Sequence, residues 1–407
     1  MGASPFAIFL IFLCGYTLSQ FYRSFLAVLA PELANEFALS SADLGNMSSA
    51  WFTAFAVMQL PIGLAFDRLG PRRCVSVLML VGALGAAVFA LAQSGRDLIL
   101  AMALIGIGCA PIYVAALFMF GRAYPPQHFA LLSSWMIGIG SAGNLLGATP
   151  LALAAQAFGW RSVFFGLALA TLLVAALVAK CITDPPPASG APSKASGWLA
   201  ELKELLVLRD LWFFVPMLIV SYGIVAAERG VWMGPFLADV YGLDQIARGN
   251  AALLMGAAMC VGAMAYGPLD QWFGARKPIV VAGTFMTAAC FLALWHWPAR
   301  TLATTIVLLT LIGLIGLTWG VLMAHARSFF PEHLLGRGIT LANFLCMAGA
   351  GAIQAFSGAR VDALKAATDA ETAYASLHVT FGLVLLASGA LYLLSSETSR
   401  TSRDDGT

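Results

Sequence analysis

Long apolar stretches alternate with short polar ones along the chain, and their lengths set the architecture. Crossing roughly 30 Å of hydrocarbon takes about 20 helical residues. Stretches of that size run near residues 5–34, 45–66, 74–93, 97–121, 130–157 and 161–182. Six more follow near 211–240, 249–269, 278–297, 302–330, 337–361 and 373–396. The pattern predicts an all-α membrane protein with twelve transmembrane helices in two six-helix bundles, at 1–182 and 210–398, with a tail at 399–407. Between the bundles lies a linker at 183–209. Its first part, 183–194, is rich in Pro, Ser, Gly and Ala, and 198–208 has the Leu and Glu/Lys spacing of an amphipathic helix on the membrane surface.

Composition makes the bilayer the solvent: 60% of the 407 residues are hydrophobic, 10% are charged, and mean hydropathy is +0.86. A net charge of +2 gives no argument for nucleic acid, so the distribution of charge matters more than its sum. With the N-terminus in the cytoplasm, 14 basic residues fall inside and 6 outside. That asymmetry predicts a multi-pass protein of the cell's inner (plasma) membrane with both termini cytoplasmic. The first apolar run has neither a basic leader nor a small-residue cleavage site and reads as a spanning helix. Seven cysteines without a CxxC pair, and no His cluster at ligand spacing, predict neither disulfide nor metal. No GxxxxGK[ST] fingerprint and no catalytic constellation occur, which argues against an ATP-driven pump, an intramembrane enzyme or a bound cofactor.

The two halves repeat. Gly63 and Gly70 match Gly267 and Gly274 at a shift of 204 residues, and Arg72-Arg73 match Arg276-Lys277 at the same shift. Arg122 matches Arg327 at 205, where Pro126-Gln127-His128 reads against Pro331-Glu332-His333. Tandem halves of this kind form pseudo-symmetric bundles with substrate near the midplane. The loop Gly63-Leu-Ala-Phe-Asp67-Arg68-Leu-Gly70-Pro-Arg72-Arg73 resembles the signature of the major facilitator superfamily, and the resemblance covers essentially the whole chain. It implies alternating access by a single working chain, with this loop as a cytoplasmic latch; Arg122 and Arg327, by their own positions at cytoplasmic helix ends, read as topological or gating residues that join the latch rather than as ligands. Glycines permit the tight turn and close helix approach, and Asp67 can accept from an arginine or a helix N-terminus in a contact that forms and breaks. In the second copy Asp270 stands one position early and Gln271 takes the place of Asp67, which weakens the latch there. Arg68, Arg72 and Arg73 also suit plain anchoring at headgroup depth.

Two basic residues remain within spans, Arg23 and Arg229. Each lies seven residues after a tyrosine, Tyr16 or Tyr222, and 18 residues after the start of its apolar run at Pro5 or Leu211. At 1.5 Å per residue that is about 27 Å along each helix, so the guanidiniums lie at matching depth. The spacing also puts each Tyr and Arg on one helical face, with Gln20 beside them. Buried arginines are costly in a bilayer and by default face a cavity or a partner. Their forked donors suit carboxylate or phosphate, which predicts a small anionic substrate. The spacing from Arg23 to Pro31 resembles the organophosphate and organic-anion branches of the superfamily. That resemblance implies a substrate-binding arginine at Arg23 with a partner in the seventh span, although Pro235 stands two residues closer to Arg229 than Pro31 does to Arg23.

Glu228 is a candidate proton carrier, because a carboxyl in a low-dielectric cavity responds to burial and neighbouring charge. The competing readings are a salt bridge between Glu228 and Arg229, and snorkelling of Arg23 to the headgroups. Tyr113, Asn144, Trp319, Asn343 and Gln354 are polar groups within spans that either line the cavity or bond between helices. The expected function is secondary transport of a small organic anion by proton symport or anion exchange. A proton-antiporting drug exporter is the alternative, disfavoured because the glycines at 138, 140, 143 and 147 lack the Gly-Pro pair typical of those proteins. A non-transporting receptor would need no matched pair of buried arginines.

Overall fold

The computed structural model describes residues 4–124, 128–184, 209–296, 301–330 and 334–396. Most of the predicted linker, including 198–208, and the predicted tail at 399–407 lie outside these residues. The described chain is helical throughout, as hydrocarbon demands: every main-chain N–H and C=O must find its partner within the segment. Nine helices are long and apolar enough to cross a membrane, and two bent pairs, Phe6–Tyr22 with Leu26–Phe37 and Leu131–Leu146 with Thr149–Phe158, bring the number to eleven among the described residues. The predicted second span is the first limb of the helix Ser41–Leu91, which turns at Gly70. Every one of the twelve predicted stretches is therefore helical.

Local chemistry sets the helix ends. Ser40 with Asp43, and Ser94 with Asp97, form capping boxes at the second and fourth spans, each hydroxyl accepting from the third residue's N–H while the carboxylate accepts in return. Gly70 and Gly274 both take positive φ, 79° and 63°, at the repeat-related turns, a conformation that a side chain would strain. The fourth span breaks at Ala110-Pro111 and the tenth at Leu317-Thr318. The halves thus repeat their irregularities as well as their spans.

The residues group into two compact units. The first comprises the described parts of Met1–Ser189 together with Arg229–Leu253 and Gln354–Asp362, and the second those of Gly190–Glu228, Leu254–Ile353 and Ala363–Thr407. In the first, Phe25, Phe89 and Phe164 interlock, with Phe89 and Phe164 stacked at 4.1 Å between ring centroids. Segments from the second half of the sequence are pinned into this unit by the Arg248–Glu32 ion pair and by Thr149 Oγ1, which bonds Asn250 at 2.8 Å. The Ser41 N–H donates to Asp362 at 3.1 Å and Trp232 Nε1 to Ser357 at 2.9 Å. Gly45 and Gly358 meet backbone to backbone, with no room for a Cβ on either. In the second unit Phe214 packs edge-on against Tyr392 and His325, over a core that includes Leu218, Leu322 and Phe330.

Candidate functional site

Both intramembrane arginines sit where a helix is irregular. The first span runs as a helix from Pro5 to Tyr22 and restarts at Leu26, bent by 50°. Arg23 caps the first piece and keeps right-handed geometry, φ −83° and ψ −18°, so the stripe Tyr16, Gln20, Arg23 persists through it. Its guanidinium carbon lies 5.0 Å from the centre of the Trp51 ring and 4.8 Å from that of Phe55. Arg229 belongs to a π-helical turn, Glu228–Trp232, a wide turn of a kind that recurs at functional sites. It is 5% exposed.

Arg229 meets the fifth span at Asn144. One terminal nitrogen donates to the Asn144 main-chain oxygen at 2.9 Å and the other approaches its amide oxygen at 3.3 Å. The reason the carbonyl is free is local. Pro150 has no N–H and its ring crowds the carbonyl of Leu146, so the helix breaks just ahead of it. Ala148 leaves helical geometry and donates to Leu145 instead of Asn144. The span still reaches the first one because Gly140, Gly143 and Gly147 lie against Tyr16, Thr17 with Gln20, and Ser24 in turn, and a Cβ on any of them would collide. Tyr16 also packs on Tyr113, 5.3 Å between ring centres. Gln354 is fully buried in this first unit and its amide has no hydrogen-bond partner among the described residues.

In the second unit Glu228 turns to the twelfth span. Its Oε2 lies 3.5 Å from His378 Nε2, and both side chains are fully buried. Glu228 therefore pairs with a histidine on Ala370–Tyr392, a residue the sequence reading passed over although an ionisable group inside an apolar span was signal enough. Tyr222, Trp319 and Asn343 are half-buried in this unit.

The signature loop also finds a partner that its spacing did not suggest. The Arg72 main-chain N–H donates to Asp184 at 2.7 Å and its Nε to the Ala179 carbonyl at 2.6 Å, so an acid at the end of the sixth span caps the third. Arg68 and Arg73 are exposed, while the side chains of Asp67 and Arg122, and the surroundings of Gly63, lie outside the described set. In the second copy Arg276 Nε donates to Asp270 at 3.2 Å and its terminal nitrogen to the Ala324 carbonyl at 3.0 Å. Lys277 donates to the Ser395 carbonyl at 2.7 Å, and Arg327 is exposed.

Apolar helices of spanning length among the described residues, a repeated glycine-basic turn and arginines held within the spans describe a polytopic membrane transporter rather than an enzyme. The chain belongs to the Major Facilitator Superfamily, whose family model matches residues 12–355. It is 24% identical over 346 residues to a hexuronate transporter of Bacillus subtilis (strain 168), covering 81% of this chain and 77% of that one. It is 24% identical over 323 residues to a gentisate transporter of Corynebacterium glutamicum, covering 75% and 70%. A probable L-galactonate transporter of Escherichia coli (strain K12) is also 24% identical, over 375 residues, 82% and 79% of the two chains. Among solved structures, the fold is shared with a bacterial homologue of the human lysosomal transporter Spinster, with a TM-score of 0.77 at 19% identity over 97% of this chain and 98% of that one.

Proposed function

We propose that this transporter carries a small organic anion across the cell's inner membrane by alternating access, with Arg23 and Arg229 as its anion-binding groups. The observation that carries this reading is that both guanidiniums are held within the spans, one against the faces of aromatic rings and one on the main-chain carbonyl of a broken helix. Relatives named for hexuronate, L-galactonate and gentisate, all carboxylates, support it. The two six-helix halves rock as one working chain with both termini in the cytoplasm. The loop around Asp67, Arg72 and Asp184, and its counterpart at Asp270 and Arg276, act as latches on that side. Coupling is to a proton on Glu228, supported by its buried approach to His378; exchange against a second anion is the other mode.

Uptake of labelled carboxylates into proteoliposomes tests both parts. Arg23→Ala and Arg229→Ala each abolish concentrative uptake, and lipophilic cations neither compete nor accumulate. Cation uptake that survives both substitutions would sink the anion reading. For coupling, an inward proton gradient drives uptake in the native chain and not in Glu228→Gln; a gradient response retained by Glu228→Gln rules that carboxylate out.

A further inference from the structure

The surroundings of Arg23 say more about the anion than its charge. Trp51 and Phe55, one helical turn apart on the second span, stack at 5.0 Å between ring centroids and 17° between planes, and the Arg23 guanidinium lies over both. Trp51 is 1% exposed, yet its indole N–H has no acceptor among the described residues, and neither has the buried Arg23 Nε. Both groups are donors only, and buried donors without acceptors are rare and costly in native structures. A carboxylate, which only accepts, would satisfy them together.

The far end of the same stripe is aromatic as well. Seven residues from Arg23, roughly 10 Å along the helix, Tyr16 packs on Tyr113, and both are half-buried. Between the two ends stands Gln20, nearly buried. A polyhydroxy acid needs a hydrogen-bond partner for each hydroxyl it brings out of water. This stripe offers one anion end, one amide and two tyrosines over about the length of a substituted benzoate. We propose that the substrate is an aromatic monocarboxylate rather than a sugar acid, and that Trp51 is a binding residue whose indole N–H donates to the carboxylate beside Arg23. The proposal rests on the anion reading above and narrows it.

Equilibrium binding to the purified, full-length protein tests it with three probes: 4-hydroxybenzoate, glucuronate and tetraphenylphosphonium. The expected result is that 4-hydroxybenzoate binds at least tenfold tighter than glucuronate. Trp51→Phe, which keeps the ring and removes the N–H, weakens it about tenfold, the size of one hydrogen bond to a charged group. Circular dichroism and thermal midpoint verify that Trp51→Phe and a milder Arg23→Lys remain folded. Tighter glucuronate binding overturns the aromatic class while leaving the anion reading standing. Unchanged 4-hydroxybenzoate affinity in Trp51→Phe overturns the indole contact, reducing Trp51 to a packing surface for Arg23. Tetraphenylphosphonium binding that is unaffected by Arg23→Lys, with neither anion bound, removes the anion reading itself.

Discussion

Arg23 and Arg229 occupy repeat-related positions, yet the fold treats them differently. Arg23 is half-buried and rests on rings, which stabilise a cation through their faces and leave its N–H fork available. Arg229 is almost wholly buried and spends two nitrogens on Asn144, so its position is fixed by hydrogen bonds. The difference traces to the neighbouring span in each case: two aromatic residues one turn apart on the second, and a proline-broken turn on the fifth. A duplicated motif supplies two charges inside apolar runs; the packing around each sets which contacts it keeps.

That contrast can be broken by substitution. Arg23→Ala is expected to have the largest effect on binding, a loss on the order of a hundredfold in carboxylate affinity, with little change in thermal midpoint, read by equilibrium binding and a melting curve. Arg229→Ala loses less affinity, about tenfold, but lowers the midpoint by a few degrees because the Asn144 carbonyl is left unsatisfied. Equal effects at both sites on both measurements would erase the distinction. Asn144→Ala keeps the 2.9 Å main-chain bond and removes only the 3.3 Å side-chain contact, so about threefold is expected, a size suited to a weak neutral acceptor. Combined with Arg229→Ala it adds nothing further, since the two share one interaction. Smallest is Pro150→Ala, which restores an N–H for the Leu146 carbonyl while the Gly140, Gly143 and Gly147 contacts hold the break that the proline initiates; affinity stays within about twofold, and a larger loss would mean that keeping the break, as well as starting it, depends on the proline.

Much of this was legible from residue order. Twelve spans, the repeat and its positive-φ glycines follow from apolar run length and spacing, because lipid leaves helices as the workable solution. Arg23 and Arg229 stood out because charge inside a span is expensive. The partners were harder to read. Trp51 and Phe55 look like any apolar pair on a span, and Asp184 falls just past the end of one, with nothing in its spacing to tie it to Arg72. His378 was visible as an ionisable group in an apolar run, but its match to Glu228 joins residues 150 apart.

Residue order carried the class of protein, the placement of its helices and the presence of two arginines inside apolar runs, since hydrophobicity and helical periodicity are local properties. What each arginine faces emerged with the fold. Which carbonyl a broken helix releases, and which rings a neighbouring span presents, depend on how glycine-lined surfaces bring distant segments together, and that is a matter of three-dimensional packing that no linear spacing records.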